Sequence, residues 1–196
     1  MRRRWTKARL EGLALEVRGE IGLGWNDLLD PYRLAEEYGI PVYSIEALPQ
    51  FGCSEQAVRH FTEKENRPSV WSAALVPVGT GRLIIENTAH APVRRRSNTT
   101  HEMSHVVLEH PFGDLLLTDE GCRCHDPRKE REAMDLAGEL LVPTKAAINA
   151  AFSEKTNQQV AALFGVSIQF AQMRMAGPRK IVERSIQKRA SQSARR

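Results

Sequence analysis

Residues 97–109 read Ser97-Asn98-Thr99-Thr100-His101-Glu102-Met103-Ser104-His105-Val106-Val107-Leu108-Glu109. An α-helix turns once in about 3.6 residues, so His101 and His105 fall one above the other on a single face. Two imidazoles so placed can meet one ion at about 2.0–2.1 Å, the zinc–nitrogen distance. Glu102 stands beside the first histidine, on the flank of that face. It is placed to take a proton from a water on the metal rather than to bind the metal itself. Val106, Val107 and Leu108 anchor the segment in a core. The spacing predicts a helix from about Ser97 to Glu109, closed by Pro111 and Gly113. A blander reading leaves both histidines solvated. Another makes Thr99 the helix cap, with Glu102 closing a capping box.

Upstream of this helix, two apolar runs, Ser69 to Val78 and Arg82 to Glu86, flank Gly79-Thr80-Gly81 and predict a β-hairpin. A polar, basic link carrying Arg94, Arg95 and Arg96 is expected between hairpin and helix. Pro41 to Ile45 reads as a short strand. Asp30-Pro31 opens a helix that runs to about Tyr38 and stops at Gly39. Residues 5–19 carry Trp5, Leu10, Leu13, Leu15 and Val17 among charges and read as a helix. Residues 53–68 are polar and hard to place. Downstream, residues 113–127 read as a loop, and Pro127 starts a helix that ends near Val142, before Pro143. Shorter helices are expected over Thr144 to Phe152, Asn157 to Phe164, Ser167 to Met175 and Pro178 to Ala190. This order of elements indicates an α+β fold.

Two histidines do not complete a catalytic zinc site, which usually has three protein ligands and one open position. Glu109, His110, Cys122, Cys124, His125, Glu130, Glu132 and Asp135 are candidates for the third. Glu109 and His110 lie too far round or along the motif helix. The helix from Pro127 is a better source, because one packed helix can face another. Glu132 borders its apolar stripe of Ala133, Leu136, Ala137, Leu140 and Leu141, whereas Glu130 and Arg131 fall on the wetter side. An acid beside a buried stripe needs a partner, and a zinc ion would be one. Asp135, one turn past Glu132, is either an acceptor that orients a ligand histidine or a solvated helix residue. His60, His90 and His110 read as ordinary surface residues. Cys122-Arg123-Cys124-His125 lacks a second ligand pair at finger-like spacing and does not read as a structural zinc site.

Taken together, His101-Glu102-Met103-Ser104-His105 and the segment Glu132-Ala133-Met134-Asp135-Leu136-Ala137-Gly138-Glu139-Leu140-Leu141-Val142-Pro143 resemble the ImmA/IrrE family of metallo-endopeptidases. That family pairs an H-E-x-x-H helix with a later E-A-x-x-F-A-x-x-L-L-x-P helix. The resemblance spans roughly residues 30–175. It implies a zincin-like peptidase domain of helices with a small antiparallel sheet. It also implies one zinc ion per chain, held by His101, His105 and Glu132, with Glu102 as the catalytic base. The substrate it implies is a protein, a helix-turn-helix transcriptional repressor whose cleavage relieves repression. Leu136 replaces the usual aromatic, and Thr100 stands where alanine commonly precedes the first histidine. Neither change removes a ligand.

Asn157 to Met175 looks like a helix-turn-helix, with Gly165 in the turn and Ser167 as cap. Gln169, Gln172 and Arg174 would then face DNA. The favoured reading is a packed or partner-docking bundle with Val160, Leu163, Phe164, Val166, Phe170 and Met173 as its core. The expected organisation is a metallopeptidase domain over residues 1–152, helix-turn-helix-like helices over 153–190 and a basic tail over 191–196. The 196 residues carry a formal charge of +4, much of it at the two ends, which read as solvated termini. With 41% apolar and 27% charged residues the composition is that of a soluble globular chain. Three cysteines are too few and too odd for a disulfide framework, which points to a reducing cytoplasm. No apolar run suggests a secretory leader or a membrane span.

Overall fold

Proline and glycine punctuate the chain largely where the sequence places them, and the computed structural model describes residues 5–62, 71–111 and 126–193. The chain forms two compact units, Asp30–Ala137 and Met1–Leu29 with Gly138–Arg196.

In the first unit, α2 spans Pro31–Glu37, with Pro31 in its first turn and the Asp30 side chain accepting the Tyr32 N–H at 3.0 Å. This satisfies one of the orphan donors of a helix start. Strand β1, Val42–Ser44, leads into a 3₁₀ helix, Ile45–Phe51. The polar stretch that resisted placement holds α3, Glu55–Thr62, where Ser54 Oγ accepts the Ala57 N–H at 3.1 Å. Strands β2, Ala73–Val78, and β3, Gly81–Glu86, form the expected hairpin, with Val78 opposite Gly81. Gly79 takes φ of 57°, the left-handed conformation that a tight two-residue hairpin turn needs.

The sheet order is β1-β3-β2, and β1 runs parallel to β3. The sheet is therefore mixed, which corrects the antiparallel sheet expected. The hairpin docks with β3 inward, and β3, antiparallel to β2, runs with β1. The 3₁₀ helix and α3 lie in the long connection that such an arrangement requires. Ile84, on the central strand, is fully buried.

Helix α4 spans Pro92–Val107, starting five residues before the expected Ser97. The three arginines read as a link lie within it. Pro92 stands in the first turn, where a proline lacking N–H costs nothing. Glu86, at the end of β3 and 4% exposed, ties the sheet to two helices. It pairs with Arg95 of α4, accepts the Tyr32 hydroxyl at 3.0 Å and accepts the Thr99 hydroxyl at 3.4 Å. Thr99 is therefore buried in mid-helix, and the capping-box reading of Thr99 and Glu102 fails.

The second unit contains α1, Lys7–Glu20, capped by Thr6. It also contains α6, Thr144–Phe152, α7, Asn157–Phe164, and α8, Ile168–Ser193. Helix α5, Pro127–Leu141, begins in the first unit and ends in the second. Thr156 and Gln159 form a reciprocal capping box on α7. Two helices expected after Gly165 are one, with Pro178 inside it. Proline removes the bond to the carbonyl four residues back. The buried stripe of Ala171, Met175, Pro178 and Val182 nevertheless continues through it at helical spacing. Arg18 is completely buried and donates to the Leu140 carbonyl at 2.5 Å, an orphan carbonyl at the end of α5, and to the Gly24 carbonyl at 2.7 Å.

Candidate metal centre

His101 and His105 lie one turn apart on α4, and their Nε2 atoms are 3.2 Å apart. The first turn of α5 brings Glu130 to them. Its Oε2 is 3.2 Å from His101 Nε2, and its Oε1 is 3.4 Å from His105 Nε2. Among the described residues, these three side chains are the group whose donor atoms converge, all within 4.8 Å of one another. Ligands about 2.0–2.1 Å from a tetrahedral zinc lie about 3.3–3.4 Å from one another. The imidazole–imidazole spacing and the spacing of each imidazole to its nearer Glu130 oxygen fall close to that value, the two imidazoles meeting different oxygens of the carboxylate. Two imidazole nitrogens and a carboxylate are also the donor set that zinc takes in catalytic sites. The residues present are compatible with a bound metal ion.

Glu132 sits two residues on, on the other side of α5. Its Oε1 accepts from Arg128 Nε at 3.1 Å, and its Oε2 lies 3.5 Å from His110 Nε2. Its side chain is 12% exposed, against 31% for Glu130, in line with the placement of Glu132 beside the buried stripe. The sequence did not place Glu130 at the imidazoles. It stands in the first turn of α5, and there the wetter flank is the one that meets α4.

His110 corrects the expectation of a surface residue, because it is 7% exposed. Its position follows from how α4 ends. The His110 N–H donates to the His105 carbonyl at 3.0 Å, and the Glu109 N–H donates to the Val106 carbonyl at 3.0 Å. These two bonds define a Schellman motif. Its left-handed position is taken by Glu109, with φ of 50°. The reversal folds His110 back under the helix, with its Nδ1 at 2.9 Å from His105 Nδ1. Burial holds the His110 imidazole below its usual range, opposed by the Glu132 carboxylate beside it. The glycine that normally marks such a reversal is missing from the sequence, so nothing there signalled it.

Glu102 is 6% exposed, and its Oε2 accepts the Leu75 N–H at 3.1 Å. Leu75 belongs to β2, an edge strand, so this bond fixes the carboxylate against the free side of the sheet. Asp135 is exposed on α5. Gln169 and Gln172 are exposed on α8. Arg174 is less exposed than these two. Its Nη2 pairs with Glu139 at 2.5 Å and donates to the Val142 carbonyl at 2.7 Å. Cys122, Cys124 and His125 lie outside the described residues.

Residues 35–176 match the model of a peptidase family, M78, described as the IrrE N-terminal-like domain. That match covers both the motif helix and α5. A search of curated proteins found no match.

Proposed function

Since the chain belongs to the peptidase M78 family, described by its IrrE N-terminal-like domain, we propose that it is a zinc-dependent endopeptidase that cleaves a helix-turn-helix repressor. The observation that carries this reading is the convergence of His101, His105 and the Glu130 carboxylate of α5 within reach of one ion, with Glu102 adjacent on the motif helix. The proposed ligands are His101, His105 and Glu132. The paired motifs support Glu132, which lies against His110 and Arg128 here. Glu130 is the competing carboxylate, because it stands closest to both imidazoles.

Bound there, zinc supplies Lewis acidity, polarising a peptide carbonyl and making a water acidic near neutral pH. Glu102 is the general base. It accepts a proton from the attacking water at a carboxylate oxygen and delivers it to the amide nitrogen as the C–N bond breaks. The Leu75 N–H holds Glu102 Oε2 by a bond that needs no side-chain ordering. That bond restrains the carboxylate.

The repressor substrate rests on the family resemblance, as does the cytoplasmic setting. Among the described residues no helix is long and apolar enough to cross a membrane. The rival reading is a DNA-binding or partner-binding regulator with a structural or vestigial metal site. The engagement of Arg174 with Glu139 weakens its DNA form, since only Gln169 and Gln172 of the three expected contacts are exposed.

The test is incubation of the zinc-loaded protein with any helix-turn-helix repressor found encoded beside it. Wild type should cleave, and Glu102→Gln should retain zinc while cleaving about 10²–10⁴-fold more slowly, the usual contribution of a general base. Equal cleavage by Glu102→Gln would sink the mechanism. Salt-dependent, sequence-selective operator binding without cleavage would favour the regulator.

A further inference from the structure

His110 is a buried imidazole that the chemistry proposed above does not use. Each of its ring nitrogens faces one of the proposed ligands. Nδ1 is 2.9 Å from His105 Nδ1, and Nε2 is 3.5 Å from Glu132 Oε2. Nε2 is buried and makes no hydrogen bond, so the Glu132 carboxylate is the group it faces. We propose that His110 is a positioning residue of the metal centre, fixing the tautomer and ring orientation of His105 from one side and steadying Glu132 from the other. This rests on the zinc reading.

The proton assignments follow from a single requirement. If His105 Nε2 is to offer its lone pair to a metal, its proton must sit on Nδ1. That proton then points at His110 Nδ1, which accepts it. A neutral His110 accepting at Nδ1 carries its own proton on Nε2, the nitrogen 3.5 Å from Glu132 Oε2. That tautomer of His110 accepts from His105 and leaves Glu132 the nearest carboxylate to its N–H, whereas the other leaves two N–H groups facing each other. Ligand histidines commonly donate their second nitrogen to a carboxylate or carbonyl, and loss of such a partner costs about 10–100-fold in metal affinity. Here an imidazole takes that place, carried by the Schellman reversal that ends the ligand helix. Its backbone N–H is bonded to the carbonyl of His105 itself, so His110 is fixed to the residue it orients.

The experiment measures zinc affinity of the full chain by competition with a chromophoric chelator, alongside the visible spectrum of the cobalt-substituted protein. His110→Leu keeps the volume and removes both nitrogens. It should bind zinc about 10–100-fold more weakly and should shift the cobalt bands. His110→Asn places an amide oxygen near the Nδ1 position and should restore affinity to within about threefold of wild type. His110→Leu that stays folded by circular dichroism and binds zinc within threefold of wild type overturns the proposal. If His110→Leu does not fold, the Asn variant decides. Affinity near wild type supports the role, and a folded Asn variant as weak as the His105→Ala control refutes it. Failure of the underlying reading looks different. In that case wild type itself binds zinc no better than His105→Ala.

Discussion

Glu130 and Glu132 are two positions apart on α5, so their side chains leave the helix about 200° apart. They cannot both ligate in the same way, and substitution separates them. Glu132→Ala should lose zinc while Glu130→Ala keeps it, measured as metal content after gel filtration against a weak chelator. The reverse result would move the carboxylate ligand to Glu130, which already touches both imidazoles. Retention of zinc by both variants would remove the carboxylate from the ligand set. His101, Glu102 and His105 were legible in the sequence because helical period alone fixes their relation. His110 was not, because its place depends on a left-handed residue that the sequence supplies as glutamate rather than glycine.

Elements divide in the same way between what local chemistry fixes and what pairing decides. The hairpin and α5, α6 and α7 were readable from Gly79, Pro127, Pro143 and Gly165, each of which acts within a few residues of itself. The parallel pairing of β1 with β3 was not, because strand neighbours are chosen by tertiary docking. The early start of α4 was signalled by Pro92, but three consecutive arginines read as a link. Only the structure shows Arg95 paired with Glu86. That carboxylate is the tie between β3 and the helix that carries the motif. Glu86→Ala leaves Arg95 and the Tyr32 hydroxyl without their acceptor and should destabilise the protein by about 3 kcal/mol, as expected when one partner of a buried pair is removed. Denaturant unfolding followed by circular dichroism would read this, and a loss under about 1 kcal/mol would mean that the tie is dispensable. The end of α4 gives the opposite sign. Glu109 holds φ of 50°, which an L-residue adopts at a cost and glycine adopts freely. Glu109→Gly should therefore raise stability by about 0.5–1 kcal/mol in the same assay. A loss of stability would show that the Glu109 side chain contributes more than its backbone costs.

At the scale of the whole chain, the proposed zinc links chemistry to stability. The first unit has a three-stranded sheet, and its motif helix ends beside a cluster of imidazoles and carboxylates. An ion that binds only the folded state adds stability by mass action, about 2.7 kcal/mol at one hundred times its dissociation constant. For a chain of this length each kcal/mol moves the melting midpoint by about 2–4 °C, so zinc should raise it by about 5–10 °C. Scanning fluorimetry with zinc, and then with excess chelator, measures the shift and its reversal. His105→Ala should abolish the shift, whereas Glu102→Gln should preserve it, because Glu102 is placed to move a proton and not to ligate. Those two variants give the whole-molecule measurement its specificity. If His105→Ala were stabilised by zinc as much as wild type, the ion would be bound elsewhere on the chain, and neither the ligand set nor the role of His110 would stand.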